Sequence, residues 1–307
     1  MVYLDWYIVF NFKVKIFTPI FSRIYSEIIY GGHFTALSSP AIIITIAILL
    51  NQNIRMVDLL IAYLIPLIVY SYDYYKDQDK DNDTDLNKLL YLNNKKKSFI
   101  YIFIFYIFIL FILLILLSNI NFIIYVSILI AGGLLYSTIF KVLTRTVPGF
   151  KSIYITLVWS YACTLYLLLL YNNLTFSLFF LFIFTFVYLK GFINVVFFDI
   201  KDMKSDSKKN LKTLPIIIGK TNTYILLNII NISALILIFI GIYTKILPLF
   251  GMVLSIFFIY TSWYIYKGVK ADETQILKYT YIFADAEFIL WPIVLFVGKM
   301  LFIILLL

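Results

Sequence analysis

The chain has 307 residues, of which 63% are hydrophobic and only 13% are charged, and its mean hydropathy is +0.97. This hydrophobic content exceeds what the core of a soluble protein of this size needs, so the composition predicts an integral membrane protein. The formal charge of +9 is distributed along the chain in the way that membrane orientation requires. We therefore expect the bilayer, and not a nucleic acid, as its partner.

An N-terminal segment, residues 1–33, mixes aromatic and charged residues and is interrupted by Pro19. We expect this segment to lie in the membrane interface. Apolar runs long enough to cross a bilayer follow it over residues 34–307. The predicted fold is all-α, an integral membrane bundle of nine transmembrane helices. The predicted spans are Phe34–Leu50, Met56–Tyr72, Phe99–Leu117, Asn121–Phe140, Ser152–Tyr171, Phe176–Phe198, Tyr224–Tyr243, Leu247–Tyr266 and Leu277–Val297.

Lys and Arg are distributed unequally between alternate connections of the nine spans. Connections after odd-numbered spans contain little beyond Arg55 and Lys245. Connections after even-numbered spans contain Lys95, Lys96, Lys97, Lys141, Arg145, Lys151, Lys201, Lys204, Lys208, Lys209, Lys212, Lys267 and Lys270. Because loops rich in Lys and Arg stay inside, we predict a cell-membrane protein with a cytoplasmic N-terminus. Residues Tyr72–Ser98 and Asp199–Asn222 then form a small cytoplasmic cap.

An acidic segment follows the second span. Asp73, Asp77 and Asp81 recur every four residues, so a continuing helix places them on one face. Like charges repel at this spacing, and the helix C-terminus disfavours anions, so we expect a neutralising cation, with Mg²⁺ favoured by oxygen ligands. The alternating acidic residues also suggest a calcium loop. However, Asn82 occupies its glycine position and Lys88 its final glutamate position.

A second acidic group ends the sixth span. Asp199, Asp202 and Asp206 are spaced three and then four residues apart, which again places them on one helical face. The predicted topology brings this group to the same cytoplasmic side as the first. Two carboxylate faces at one membrane surface, each able to hold a divalent cation, form a clamp for a polyanion such as pyrophosphate.

Basic residues near the two acidic groups could contact such a polyanion. Lys190 lies inside the sixth span, four residues before Asn194 on the same face. Ionisable groups within a membrane usually line a cavity, although snorkelling to the interface is the alternative. The remaining basic residues could contact phosphate oxygens or serve membrane orientation alone; they are Lys141, Arg145, Lys151 and Lys212.

These two motifs resemble those of the UbiA superfamily of intramembrane prenyltransferases, and the chain is similar to its archaeal members. The family's first motif, Asn-x-x-x-Asp-x-x-x-Asp, is matched with Asp73 in place of its Asn. Its second, Asp-x-x-Asp-x-x-x-Asp, is matched in full. Leu211–Gly219 resembles the Lys-Thr-Leu-Pro…Gly ending of the family. One departure is the absence of Pro-x-Arg-Pro, in whose place the chain has Asp85–Lys88.

The resemblance implies that residues 34–307 form one intramembrane prenyltransferase-like domain. It implies Mg²⁺-dependent transfer of a polyprenyl group from a polyprenyl diphosphate to a small aromatic or lipid acceptor, with release of pyrophosphate. Two Mg²⁺ ions are implied, with the metal ligands Asp73, Asp77, Asp81, Asp199, Asp202 and Asp206, all but Asp73 being assigned as catalytic. The substrate-binding residues implied are Asp73, Lys141, Arg145, Lys151, Lys190, Asn194 and Lys212.

Two further carboxyl groups, Asp285 and Glu287, lie near the middle of the ninth span. Either group could orient a membrane-soluble or amphipathic acceptor or take its proton, or could be a protonated carboxyl hydrogen-bonded between helices. Three other functions remain open at this point: a UbiA-type terpene cyclase, a divalent-cation transporter and a non-catalytic isoprenoid-lipid binder. The sequence leaves open the acceptor, the prenyl chain length and the oligomeric state.

Overall fold

A computed structural model describes residues 22–76, 85–171 and 174–306, and all regular structure within these ranges is helical. The predicted all-α class is therefore confirmed. Asp77 and Asp81, and most of the predicted interfacial segment, lie outside the described residues. The α-helices are α1 (Ser22–Tyr30), α2 (His33–Ala36), α3 (Ser38–Leu49), α4 (Met56–Lys76), α5 (Leu86–Lys95), α6 (Phe99–Leu117), α7 (Ile120–Thr138), α8 (Phe150–Thr164), α9 (Tyr166–Leu170), α10 (Leu178–Lys208), α11 (Leu214–Ile218), α12 (Lys220–Tyr243), α13 (Ile256–Lys270), α14 (Glu273–Lys278) and α15 (Asp285–Leu306).

Three further helical segments complete the described chain. Phe140–Arg145 and Leu249–Ser255 are 3₁₀ helices, and Tyr279–Ala284 is a π-helix between α14 and α15. A π-helical turn is rare and is found disproportionately at functional sites. The π-helix ends at Ala284, so Asp285 is the first residue of α15.

The predicted spans agree with the helices, although their count is approximate. Seven helical stretches of the described chain are long and apolar enough to cross a membrane. An eighth span results if α1 is joined to α2 and α3 (His33–Leu49), from whose direction it departs by a bend of 52°. The remaining predicted span corresponds to α8 and α9, which are interrupted at Leu165. All nine predicted spans are therefore helical.

Polar side chains at the helix ends explain where several helices begin. The Asn119 side chain accepts a hydrogen bond from the Phe122 amide at the start of α7, and its own amide group donates to the Leu169 carbonyl. Asp85 accepts from the amides of Asn87 and Lys88 and so caps α5. Free amides at a helix start need such acceptors. The polar break that follows α6 is therefore a tight turn between two helices.

Helix α10 packs against α8 and α12. On α8, Ser152, Thr156, Ser160 and Thr164 are fully buried, and the last three each donate to the carbonyl one turn back. Small residues whose hydroxyls are satisfied within their own helix allow two helices to approach closely. This approach brings the start of α8 to the last turns of α10. We call the end of the bundle where α4 and α10 finish the acidic end.

Candidate active site

A cavity of about 350 Å³ opens at the acidic end of the bundle. Asp73 from α4, Lys151 from α8, and Asp199 and Asp202 from α10 all line it. The structure therefore brings the first residue of one acidic motif and two residues of the other to a single cavity. The predicted topology, which places the ends of the second and sixth spans on one side, agrees with this juxtaposition.

The second motif is neutralised in part by lysines. The carboxylate of Asp199 is fully buried, pairs with the Lys151 ammonium at 2.6 Å and accepts a hydrogen bond from Ser152 Oγ at 3.0 Å. Asp202 pairs with Lys201 at 2.7 Å. Asp206 is buried as well, but its Oδ2 has no hydrogen-bond partner within the described chain. A buried carboxylate oxygen without a partner is costly, so this cluster retains unsatisfied negative charge.

The first motif is described only at its first residue. Asp73 Oδ1 lies 3.9 Å from the Nζ atom of Lys141, which is in the 3₁₀ segment after α7. Burial lowers the pKa of the Lys141 ammonium, and the charge of Asp73 opposes this effect. The predicted roles of Asp77 and Asp81 fall on residues outside the described chain and stay predictions.

The carboxylates present fit a Mg²⁺ site that substrate completes. Within residues 22–76, 85–171 and 174–306, no three acidic, His or Cys side chains are grouped so as to hold a metal ion by themselves. Mg²⁺ in phosphate-binding sites is usually held by one or two carboxylates together with waters and phosphate oxygens. Asp206 lies on the same helical face as Asp199 and Asp202, and its Oδ2 has no hydrogen-bond partner within the described chain. A carboxylate oxygen of this kind is a suitable ligand for Mg²⁺.

The predicted phosphate contacts of Lys212 and Arg145 stay predictions, and both residues lie in or beside the loop that precedes α8. The Lys212 amide donates to the Thr144 carbonyl at 2.8 Å, and its carbonyl accepts from the Gly149 amide at 2.9 Å. Its ammonium reaches the Thr146 carbonyl at 3.3 Å, while Arg145 is exposed. Neither side chain is among the described residues that line the cavity. The backbone of Lys212 instead holds the loop that leads into α8.

This loop ends at Gly149, whose φ of 67° is unfavourable for a residue with a side chain. A side chain at this position would also contact Leu214. Substituting Gly149 by Ala is expected to destabilise the protein by about 1–2 kcal/mol because an L-residue is strained in this conformation. The change also disturbs the start of α8 that positions Lys151. Thermal unfolding in detergent measures the loss. Gly132→Ala is the control and should not destabilise the protein, because the added methyl group makes only an ordinary contact of 3.6 Å with the Tyr154 hydroxyl.

Lys190 forms a buried ion pair inside the bundle. Its ammonium pairs with Glu287 at 2.6 Å and donates to Thr261 and Asn231, and both members of the pair are at most 3% exposed. Lys190 is not among the described lining residues of the cavity. The pair satisfies two charges that would otherwise be costly inside a membrane. The predicted contact between Lys190 and substrate stays a prediction, since the structure places its ammonium in an internal ion pair, whereas Asn194 does line the cavity.

Beyond the charged end the cavity is apolar and long. Residues of α8 line it from Lys151 to Ala162, and a helix rises by about 16 Å over this interval. Aromatic rings are prominent on its wall, including the stacked pair Tyr136 and Tyr154 and the ring of Trp159. A pocket with one charged end and a long apolar interior suits a ligand with an anionic head and a hydrocarbon tail.

Sequence reasoning missed several lining residues. Lys88 and Lys201 both line the cavity, with their ammonium groups over the rings of Tyr74 and Tyr281, respectively. Lys201 precedes a motif aspartate directly, which is a signal that could have identified it. Lys88 follows the first motif by seven residues, whereas Tyr281 is remote in sequence from both motifs, and the packing of α5 and the π-helix brings the two residues to the site.

Comparisons with known proteins agree with this geometry. The model of the UbiA prenyltransferase family matches residues 149–285, slightly less than half of the chain. No curated protein sequence matches the chain. The family match covers the second acidic motif, the start of α8 and the π-helix, and it confirms the resemblance found in the sequence. The enzymes of this family are prenyltransferases, which is the predicted enzyme class.

Solved structures share the fold over nearly their whole length. The apo UbiA homologue of Aeropyrum pernix K1 is 15% identical, with a TM-score of 0.61 over 88% of this chain and 98% of that one. A UbiA homologue of Archaeoglobus fulgidus bound to geranyl diphosphate and Mg²⁺ is 16% identical, with a TM-score of 0.62 over 86% and 96%. A structure of digeranylgeranylglyceryl phosphate synthase is 16% identical, with a TM-score of 0.56 over 90% and 97%.

Proposed function

From the match to the UbiA prenyltransferase family over residues 149–285, we propose that this chain transfers a polyprenyl group from a polyprenyl diphosphate to a small aromatic or lipid acceptor and releases pyrophosphate. The observation that carries the proposal is the shape of one cavity: Asp73 of the first motif and Asp199 and Asp202 of the second line its charged end, and its apolar part continues from there. The Archaeoglobus homologue that binds geranyl diphosphate and Mg²⁺ supports this substrate class.

The diphosphate head belongs at the charged end. Lys151 and Lys201 line the cavity there beside Asp199 and Asp202, so their ammonium groups are close to any bound phosphate oxygens. When bound, two Mg²⁺ ions would neutralise the diphosphate and stabilise the charge that develops on the leaving pyrophosphate. Asp73, Asp199, Asp202 and Asp206 are the described candidates to hold them. Asp77 and Asp81 are proposed to complete this set.

The hydrocarbon tail belongs in the apolar part of the cavity. Cleavage of the bond between C1 of the prenyl group and the diphosphate leaves an allylic cation, which water would quench. The wall of aromatic and aliphatic side chains excludes water from this region. The faces of Tyr70, Tyr74 and Tyr154 also carry the negative potential that stabilises a cation. The ion pairs of Lys151 and Lys201 keep both ammonium groups at the mouth, away from the developing positive charge.

The excess of Lys and Arg in the connections at the acidic end supports an orientation with this end in the cytoplasm of the cell membrane. A water-soluble diphosphate head then reaches its site from the cytoplasm, while the tail and a membrane-soluble acceptor lie within the bilayer. Residues 34–307 form the proposed catalytic domain.

The test is a transfer assay with purified protein in detergent, geranylgeranyl diphosphate, Mg²⁺ and a native membrane-lipid extract as the acceptor source. We expect Mg²⁺-dependent release of pyrophosphate and a prenylated lipid identified by mass spectrometry. Release with a hydrocarbon product derived from the donor alone indicates a terpene cyclase. The proposal is contradicted if the protein neither binds geranylgeranyl diphosphate nor releases pyrophosphate from it, and if shorter and longer prenyl diphosphates give the same result. Uptake of labelled divalent cations into proteoliposomes is then the next measurement.

A further inference from the structure

A second polar group lines the same cavity deeper than the acidic motifs. Asp285 is 1% exposed and lies on the cavity wall at the first position of α15, immediately after the π-helix. Its Oδ2 accepts a hydrogen bond from Thr35 Oγ at 2.6 Å, and its Oδ1 accepts from Asn194 Nδ2 at 3.0 Å. All three residues are on the lining. Within the described chain, Asp285 takes part in no ion pair.

This group differs from the second carboxyl on the same helix. Glu287, two residues further along α15, is turned away from the cavity and is neutralised by Lys190. Asp285 has two neutral donors and no cation, although a buried carboxylate without a cation is costly. A helix junction alone does not require a carboxylate facing a cavity. A ligand that donates a hydrogen bond into the cavity at this point supplies what the site lacks.

The depth of the group relative to the acidic motifs matches the position of the reacting carbon. Asn194 precedes Asp199 by five residues on α10, a rise of about 7.5 Å. If the diphosphate is held at Asp199 and Asp202, the C1 atom of the prenyl group lies below it, at the level of Asn194 and Asp285. An acceptor atom that attacks C1 must therefore come close to this level of the cavity.

We propose that Asp285, held by Thr35 and Asn194, forms the acceptor subsite and binds a neutral hydroxyl group, either of a lipid alcohol or of a phenol. This inference rests on the proposed function. An anionic group would be repelled by the carboxylate. A protonated amine would be attracted, but it has no lone pair with which to attack carbon. A hydroxyl group donates to the carboxylate and keeps a lone pair for the reaction.

Transfer to the acceptor oxygen breaks one bond to C1 and forms another. The bond between C1 and the diphosphate oxygen breaks, and its electron pair leaves with pyrophosphate. The acceptor oxygen forms the new bond to C1 with a lone pair. Its hydrogen passes as a proton to the carboxylate of Asp285, which later loses it to solvent at the cavity mouth. General-base assistance of this kind contributes about 10²–10⁴-fold to a rate.

The test compares wild-type protein with Asp285→Asn in two assays. The first is Mg²⁺-dependent binding of geranylgeranyl diphosphate. The second is transfer from this donor to hexadecylglycerol, a lipid alcohol, and to naphthol, a phenol, each paired with its methylated form. We expect transfer to one of the two hydroxyl compounds and to neither methylated form. Asp285→Asn should lower that transfer by about 10²-fold or more while diphosphate affinity stays within twofold.

The outcomes separate the two proposals. If the wild-type protein does not bind the diphosphate, the proposed function itself is overturned. Normal binding with transfer to neither hydroxyl compound, or with transfer unchanged in Asp285→Asn, overturns the acceptor subsite alone. Asp58→Asn serves as the control, since Asp58 is a buried carboxylate paired with Arg55 outside the cavity. It should affect stability but not the ratio of transfer to binding.

A second variant decides the question if Asp285→Asn does not fold. Thr35→Val keeps the shape of the side chain and the carboxylate but removes the shorter hydrogen bond. Because Thr35 is proposed to position the carboxylate of Asp285, its replacement should raise the KM for the hydroxyl acceptor several-fold and leave the affinity for the diphosphate unchanged. An unchanged acceptor KM in this variant overturns the inference.

Discussion

Asp202→Asn is expected to lower Mg²⁺-dependent pyrophosphate release by about 10²–10³-fold, the usual effect of removing one electrostatic contact to a developing charge. Asp202 lines the charged end of the cavity and pairs with Lys201, which also lines it. The amide removes a negative charge from the proposed ion site and leaves the Lys201 ammonium without its carboxylate. Steady-state release with geranylgeranyl diphosphate measures the effect. Folding should be largely preserved because Asp and Asn have nearly the same shape.

Glu273→Gln is the matched control for this substitution. Glu273 is also paired with a lysine, Lys204, but this pair is exposed and does not line the cavity. Exposed ion pairs contribute little, so pyrophosphate release by Glu273→Gln should equal that of the wild type. Equal losses in both variants would show that the effect arises from surface charge and not from the cavity.

Glu287→Leu is expected to destabilise the protein by about 3–5 kcal/mol because it leaves the Lys190 ammonium buried without its counter-ion. The carboxylate of Glu287 also accepts hydrogen bonds from Thr261 and Tyr264, so the substitution disrupts a buried polar network that joins α10, α13 and α15. The measurement is thermal unfolding in detergent, with the temperature of half-unfolding compared between variants.

The double variant Lys190→Met/Glu287→Leu should recover most of this stability, since replacing both members of a buried pair by apolar groups of similar size is often close to neutral. Because neither residue lines the described part of the cavity, the double variant should also retain pyrophosphate release. A double variant as unstable as the single one, or one that is folded but inactive, contradicts the assignment of this pair to structure alone.

Patterns that depend on local spacing were sufficient to predict the fold and to single out acidic residues that line the cavity. The apolar stretches located all nine helical spans. Intervals of three and four residues placed Asp199, Asp202 and Asp206 on one face of α10. The asymmetry of Lys and Arg indicated that both motifs belong to one end. The structure then placed Asp73, Asp199 and Asp202 around one cavity.

Partners that come from distant parts of the chain could not be predicted in this way. Lys190 and Asn194 lie on nearly the same face of α10, yet one pairs with Glu287 and the other bonds to Asp285 and lines the cavity. The difference depends on how α13 and α15 pack against α10, which no spacing within α10 encodes. The role of Lys212 is likewise set by backbone hydrogen bonds to Thr144 and Gly149. Several aromatic residues also line the cavity, and no spacing in the sequence distinguishes them from the other aromatic residues of the chain.

The central claim is that the two acidic helix ends and Lys151 form one site for a Mg²⁺-bound prenyl diphosphate. Its most direct test is the affinity of the purified protein for geranylgeranyl diphosphate by calorimetry, with Mg²⁺ and with EDTA, for wild-type protein and Lys151→Met. We predict binding that requires Mg²⁺, competes with inorganic pyrophosphate, and is weakened at least tenfold in Lys151→Met. Binding that is equally strong in EDTA and insensitive to pyrophosphate and to Lys151→Met would show that only the tail is recognised and would contradict the claim.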